Sequence, residues 1–254
     1  MRGLRDDLKL ALDPVEFARH VGMRPERWQA DLLSTPSNRV ILNCSRQAGK
    51  SSFSAILALH RALYFPKSLV LVFAPALRQS QEFFQKLDAF WRAAGLPGEA
   101  DSERKLGLEL KNGSRVEALP GSEKTTRGFS APSLIIFEEA SRIDDSLYFD
   151  GARPMIATVP DSTLLLISSP YGRRGFFYEE WEHGGPGWER FRITADDSEA
   201  VKSEYIEEER RIKSERQIAQ EYYCEFTEAD GAVFGGNLID HAFDDDEVLP
   251  LWQD

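Results

Sequence analysis

The sequence predicts an α/β fold, a mostly parallel β-sheet flanked by helices, and three observations point there. Short apolar runs recur between longer segments of helical period, the rhythm of strands joined by crossover helices. These runs are apolar on consecutive residues, the pattern of strands buried on both faces. One of them leads straight into Gly49-Lys50-Ser51 and a further helical pattern. With 254 residues, 42% of them hydrophobic, the chain is long enough to bury a substantial core.

In chain order, strands are expected at 40–43, 69–73, 134–137 and 164–167, and helices near 26–33, 51–64, 78–94 and 145–158. The stretch 106–119 alternates around Asn112-Gly113. That predicts a hairpin closed by a two-residue turn in which both positions take positive φ, placed at an edge of the sheet. Beyond Trp181 the pattern changes. The sequence HGGPG (183–187) is a break, 188–194 reads as a strand, and 203–226 reads as one or two charged helices with Ile206, Ile212 and Ile218 loosely periodic. The expected organisation is therefore a core at 1–182, a small second unit at 183–235 and an acidic, linker-like stretch at 236–254.

Charge narrows the function classes. The formal net charge of −11 divides into +5 over 1–100, −6 over 101–200 and −10 over 201–254, which excludes a uniformly basic nucleic-acid coat and confines any nucleic-acid contact to local patches. The longest apolar run, 69–77, contains Pro75 and falls far short of the ~20 residues that span a bilayer. The N-terminal stretch is charged throughout and lacks the apolar centre of a signal peptide. Cys44 and Cys224 are too few for a disulfide framework and fit a reducing cytoplasm. Cys44 itself reads as loop packing and not as a reactive thiol.

The chemistry begins at CSRQAGKSS (44–52). A strand, a loop ending in Gly-Lys-Ser and a helix form the context of a phosphate-binding P-loop. Backbone N–H groups of the loop and the helix start converge on phosphate oxygens. Gly49 permits close backbone approach, Lys50 brings a point charge to the β- and γ-phosphates, and the Ser51 hydroxyl can coordinate Mg²⁺. Cys44 stands where the motif usually has its first glycine. At 134–141, LIIFEEAS sets Glu138 and Glu139 directly after a buried strand, the end at which open α/β sheets bind ligands. Glu138 would hold Mg²⁺ and Glu139 would polarise the attacking water. Two adjacent acids also occur on ordinary surface turns, and it is their pairing with the P-loop that gives them weight. Ser168 and Ser169 end another apolar strand and either sense the γ-phosphate or form a plain Ser-Pro turn.

Taken together, these motifs resemble the large terminase subunits, the DNA-packaging motors of tailed bacteriophages. CSRQAGKSS is similar to that family's Walker A motif, RPERWQADLL (24–33) to its adenine motif, and TTRGFSAPSLIIFEEAS (125–141) to its arginine segment and Walker B. ISSPYGRRGFFYEEW (167–181) is similar to its coupling motif and EFTEADGAVF (225–234) to the end of the ATPase region. The order and spacing agree over roughly 24–240.

The resemblance implies a P-loop NTPase of RecA-like (ASCE) type with a small C-terminal lid. It implies ATP held by Gln29, Ser45, Arg46, Gln47, Ala48, Gly49, Lys50, Ser51 and Ser52, with Mg²⁺ on Ser51 and Glu138. Glu139 and Lys50 would be catalytic, and Arg127 would act as an arginine finger across a subunit boundary. Ser168 and Ser169 would couple hydrolysis to movement. The partners implied are double-stranded DNA, a portal and procapsid, a small terminase subunit and further copies in a homo-oligomeric ring, a pentamer, the isolated domain being monomeric or weakly associating. No membrane partner is expected, and the location implied is the cytoplasm of an infected bacterium. Walker B usually ends Asp-Glu, so Glu138-Glu139 leaves open which glutamate takes which role.

Arg104, Lys105, Lys111, Arg115 and Lys124 are candidates for tracking DNA phosphates. Asp244, Asp245, Asp246 and Glu247 are contiguous and read as a solvated acidic run, so no nuclease activity is expected of them. A helicase-type translocase and a nucleotide-dependent assembly switch are the alternatives. The lack of an Asn-Lys-x-Asp sequence argues against a regulatory GTPase.

Overall fold

A computed structural model describes residues 4–95, 100–104, 106–121, 128–157 and 159–227. Arg127, Lys105, Lys124, the acidic run and the expected linker at 236–254 lie outside these residues.

The first three helices are short: α1 (Leu4–Leu12), α2 (Pro14–His20) and α3 (Arg27–Leu33). Proline at the first turn of α2 and the Asp13 carboxylate, which accepts from the N–H groups of Val15 and Glu16 at 2.9 and 3.0 Å, start that helix. A capping box between Glu26 and Gln29 starts α3. Then β1 (Arg39–Cys44) enters the loop before α4 (Lys50–Tyr64), and β2 (Leu69–Ala74) precedes α5 (Leu77–Ala93). Next come β3 (Ala100–Arg104), β4 (Gly107–Leu110), β5 (Arg115–Pro120) and β6 (Leu134–Glu138). A 3₁₀ turn (Ala140–Arg142), a π-helical turn (Leu147–Ala152) and α6 (Arg153–Met155) lead to β7 (Thr163–Ser168). The remainder is α7 (Gly175–Glu182), β8 (Glu189–Ile193), α8 (Ser203–Arg210) and α9 (Glu215–Tyr223). Among the described residues, no helix is long and apolar enough to cross a membrane.

All eight strands form one sheet in the order β3-β4-β5-β2-β6-β7-β1-β8. The six from β5 to β8 are mutually parallel, while β4 and β3 run antiparallel at one edge. The central strands are buried on both sides, as their apolar runs predict. Val40, Leu42, Val70, Val72, Ile136 and Ile167 pack beneath α1 to α5, while Ile41, Leu71, Phe73, Phe137 and Leu166 pack against the segment 140–156 and α7. Successive side chains of a strand thus feed opposite layers of the three-layer sandwich.

Two expectations need correction. The 106–119 hairpin forms at the edge, but its loop has three residues. Leu110 donates its N–H to Ser114 O (2.9 Å) and accepts from Gly113 N–H (2.9 Å). Only Gly113 takes positive φ (82°), the arrangement in which a glycine closes the turn as a bulge. Asn112 instead spends its side chain on contacts, donating to Ala62 O and Leu63 O and accepting from Ser114 N–H. Second, the 188–194 strand does not begin a separate unit. It is β8, paired in parallel with β1 from Val40↔Glu189 to Cys44↔Ile193, so the sheet continues past residue 182. Only Ala195, Val201, Ile206, Ile218 and Tyr222, around α8 and α9, form a small apolar cluster of their own.

Candidate functional site

The neighbouring strands β6, β7 and β1 end side by side, and their C-terminal ends carry the motifs singled out in the sequence. After β1 the chain turns through Gln47 (φ 64°) and Gly49 (φ 83°) into α4. The positive φ at Gly49 favours glycine, and a Cβ there would also crowd Gln29 Nε2 at 3.1 Å. The loop is tied down from outside: Ser45 N–H donates to Ile193 O of β8 (2.7 Å) and Arg46 N–H to Glu221 O of α9 (2.9 Å). Lys50 is buried and its Nζ donates to Ser45 O (2.9 Å) while lying 4.0 Å from Glu139 Oε1. The Arg46 guanidinium reaches Glu221 Oε1 at 3.3 Å. Cys44 is wholly enclosed in the apolar layer, and that burial pushes its thiol up to about 12, consistent with a packing role.

The two adjacent glutamates diverge. Glu138 completes β6 and is buried; its Oε2 accepts from Ser51 Oγ (3.1 Å) and its Oε1 from Ser54 Oγ. Burial is the main cause holding its carboxyl above the ordinary range, with the Glu139 charge adding to it and the two serine hydroxyls opposing. Glu139 enters the left-handed region (φ 53°), a conformation that costs a non-glycine residue of order 1 kcal/mol or more and is concentrated at functional sites. The turn swings its carboxylate out of the sheet and into a cleft of about 460 Å³ lined by Arg46, Gln47, Gly49, Lys50, Ser51, Pro75, Gln79, Lys86, Glu139 and Arg142.

Six of the expected residues therefore line one cleft: Arg46, Gln47, Gly49, Lys50, Ser51 and Glu139. Gln29, Ser45, Ala48, Ser52 and Glu138 stand behind it. Gln29 is buried, with Oε1 accepting from Glu26 N–H (2.9 Å) and Nε2 toward Gly49. Ser168 and Ser169 also stand back from the cleft. Ser168 Oγ shares a hydrogen bond with Ser141 Oγ (2.7 Å) and accepts from Ser141 N–H, and Ser141 Oγ donates to Ser169 O (2.8 Å). The end of β7 is thereby fastened to the turn that carries Glu139. Of the DNA candidates, Arg104 lies on β3, Lys111 in the hairpin loop and Arg115 at the start of β5. Arg115 pairs with Leu69, at the end of the sheet opposite the cleft.

A magnesium ion fits these residues. Ser51 Oγ and the Glu138 carboxyl are hard oxygen donors in contact, the carboxyl is buried with only hydroxyl groups as hydrogen-bond partners, and Mg²⁺ needs just one or two protein ligands besides phosphate and water. Sequence reading missed Ser54, although it sits one helical turn beyond Ser51. It also missed Gln79, Lys86 and Arg142, which reach the cleft from α5 and from the turn after Glu139 and belong to no short motif.

Comparison with known proteins places the chain in a family. The family model described as "Terminase large subunit, T4likevirus-type, N-terminal" matches residues 41–240. The large terminase subunit of Escherichia phage T5 is 29% identical over 220 residues, covering 84% of this chain and 50% of its own length. That of Thermus phage G20c is 24% identical over 255 residues, covering 87% and 52%. This chain thus spans about half the length of the curated relatives it matches. Among solved structures, the large terminase ATPase domain of Thermus phage P74-26 superposes with a TM-score of 0.73 at 21% identity, covering 84% of this chain and 98% of that one. The large terminase of bacteriophage HK97 superposes with a TM-score of 0.70 at 15% identity, covering 84% and 54%. The fold is therefore the RecA-like P-loop NTPase fold of those ATPase domains, and the chain belongs to the terminase large subunit family, matching its N-terminal part.

Proposed function

We propose that this chain is the ATP-hydrolysing motor domain of a phage packaging machine, using ATP and Mg²⁺ to translocate double-stranded DNA into a procapsid. The observation that carries this reading is the divergence of Glu138 and Glu139. One carboxylate is buried against Ser51 and Ser54, and its neighbour is turned into the cleft beside Lys50. That arrangement supports Glu138 and Ser51 as the metal side and Glu139 as the residue that orients and polarises the attacking water. Relatives of the same fold include the large terminase of bacteriophage D6E in complex with ADP and with ATP-gamma-S.

In this reading the backbone N–H groups of 47–50 cradle the phosphates, and Lys50 neutralises charge on the transferred group. A bound Mg²⁺ would supply further charge neutralisation at the phosphate oxygens. Glu139 accepts a proton from water, and its left-handed backbone fixes its direction of approach before substrate arrives. Gln29 reads the adenine edge, Arg127 of one copy completes the site of the next within a ring, and Ser168 and Ser169 transmit the change at the Glu139 turn to β7. The small cluster around α8 and α9 acts as the lid over this site, with portal, small subunit and DNA as partners in the cytoplasm of the infected bacterium. Arg104, Lys105, Lys111, Arg115 and Lys124 are the DNA-tracking candidates.

The test is phosphate release from ATP with added Mg²⁺ and DNA. Glu139→Gln should lower the rate by ~10²–10⁴-fold while nucleotide still binds. Arg127→Ala should be inactive alone and recover in part when mixed with Glu139→Gln, because each mutant supplies what the other lacks. Unchanged phosphate release in Glu139→Gln would remove the mechanism.

A further inference from the structure

Arg142 ends the 3₁₀ turn that begins just after Glu139, and its N–H donates to Glu139 O (2.9 Å). Its side chain lines the same cleft as Lys50 and Glu139. Among the described residues it forms no ion pair with a carboxylate. Its guanidinium instead lies 3.9 Å from the centre of the Tyr171 ring, in the loop after β7, and Arg174 approaches that ring at 4.8 Å.

The other cations on the loop side of the cleft are engaged, Arg46 with Glu221 and Lys50 with Ser45 O and Glu139. A guanidinium held against an aromatic ring keeps its N–H groups available, and those groups match two phosphate oxygens at once. Position decides which phosphate. The loop 44–49 and Lys50 form one wall and the Glu139 turn the other, so a water activated by Glu139 must attack the phosphate nearest that turn. Arg142 shares the turn and therefore flanks the terminal phosphate, while the base lies further off.

We propose that Arg142 is a ligand of the nucleotide's terminal phosphate supplied by the same chain, and that Tyr171 is the residue that positions it. The assignment rests on the ATP-site reading above. It also links the nucleotide, through Arg142 and Tyr171, to the loop after β7, which Gly172 N–H ties to Gln220 Oε1 of α9 (3.3 Å).

The experiment is calorimetric titration of the 254-residue chain with Mg²⁺ and either ADP or ATP-gamma-S, with melting temperatures recorded for every variant. Arg142→Ala should weaken ATP-gamma-S on the order of 10- to 100-fold, the loss expected for a charge-assisted contact, and leave ADP binding and melting temperature unchanged. Arg142→Lys should fall between. Tyr171→Phe should match the parent, Tyr171→Ala should lose part of the ATP-gamma-S affinity, and the double Ala variant should be no weaker than Arg142→Ala alone. Equal weakening of both nucleotides, or of neither, by Arg142→Ala overturns the terminal-phosphate contact. Additive losses in the double variant overturn the positioning by Tyr171. Lys50→Ala separates this from the underlying reading: if the parent binds neither nucleotide, or Lys50→Ala binds both undiminished, the ATP site itself is wrong and the Arg142 assignment falls with it.

Discussion

The two sides of α4 are built by different physics. At its N-terminus, Lys50, Ser51 and Ser54 meet polar partners: a carbonyl, two carboxylates and a strained turn. On its apolar face, from Phe53 through Ile56 and Leu59 to His60, it is enclosed by α1 to α3, with Phe17, Tyr64 and Phe65 around the imidazole and His60 Nε2 bonded to Leu10 O. The first region holds charge where water is scarce and the second excludes charge. One helix joins them, so the apolar half anchors the geometry that the polar half needs.

Substitutions can break that division. The largest effect on stability belongs to the apolar half. Phe53 is fully enclosed and packs against Trp28 at 6.1 Å between ring centroids, and Phe53→Ala should cost ~3–5 kcal/mol in denaturant unfolding.

His60 comes next. Burial depresses its pKa to about 4 from 6.5, opposed by the Leu10 and Ala11 carbonyls and by Asp13 and assisted by Arg61. Between those values the unfolded chain binds the proton and the folded chain does not, so stability is complete above the unfolded pKa and declines as pH falls. The decline should reach about 2 kcal/mol on moving from roughly pH 7 to pH 5. His60→Gln, which keeps a donor for Leu10 O without titrating, should flatten the curve; an unchanged pH profile would show that His60 is not its source.

The smallest effect has the opposite sign and lies in the polar half. The Glu138 pKa is raised by burial, so the folded state favours the protonated acid, and stability falls as pH rises above the unfolded carboxylate range. Without divalent cation, Glu138→Gln should melt higher than the parent at alkaline pH, and added Mg²⁺ should close the gap by stabilising only the parent. A lower melting temperature in Glu138→Gln under all conditions would break the contrast between the two halves.

The two regions also differ in how far the sequence disclosed them. The buried strands and the phosphate loop were legible because both depend on local order: consecutive apolar residues for a doubly covered strand, and Gly-Lys-Ser for a loop that must close on a helix. Strand β3 was not, since ADSER carries no apolar pattern and forms a strand only because β4 offers it an open edge. The Asn112-Gly113 turn was half legible: the glycine conformation was foreseen, but Asn112 is claimed by the carbonyls at the end of α4. In the site, Glu138 and Glu139 look equivalent in sequence, and only φ at Glu139 sends them different ways. Arg142 carried no signal, because its meaning comes from Tyr171, brought near by the pairing of β6 with β7.

The pairing of β1 with β8 has a consequence for how the chain reaches its working shape during synthesis. The phosphate loop is encoded within the first fifth of the chain, but Ser45 and Arg46 are held by Ile193 and Glu221, and Asn43 Nδ2 donates to Cys224 O (2.9 Å). A nascent chain that has released all the nucleotide motifs up to Ser169 still lacks the strand and the helix that fix the loop. Domains assemble from the N-terminus as they emerge, so here the oldest part of the site must wait for nearly the last described residues before it can hold its form. Nucleotide-binding competence should therefore appear late and all at once, after α9 has docked.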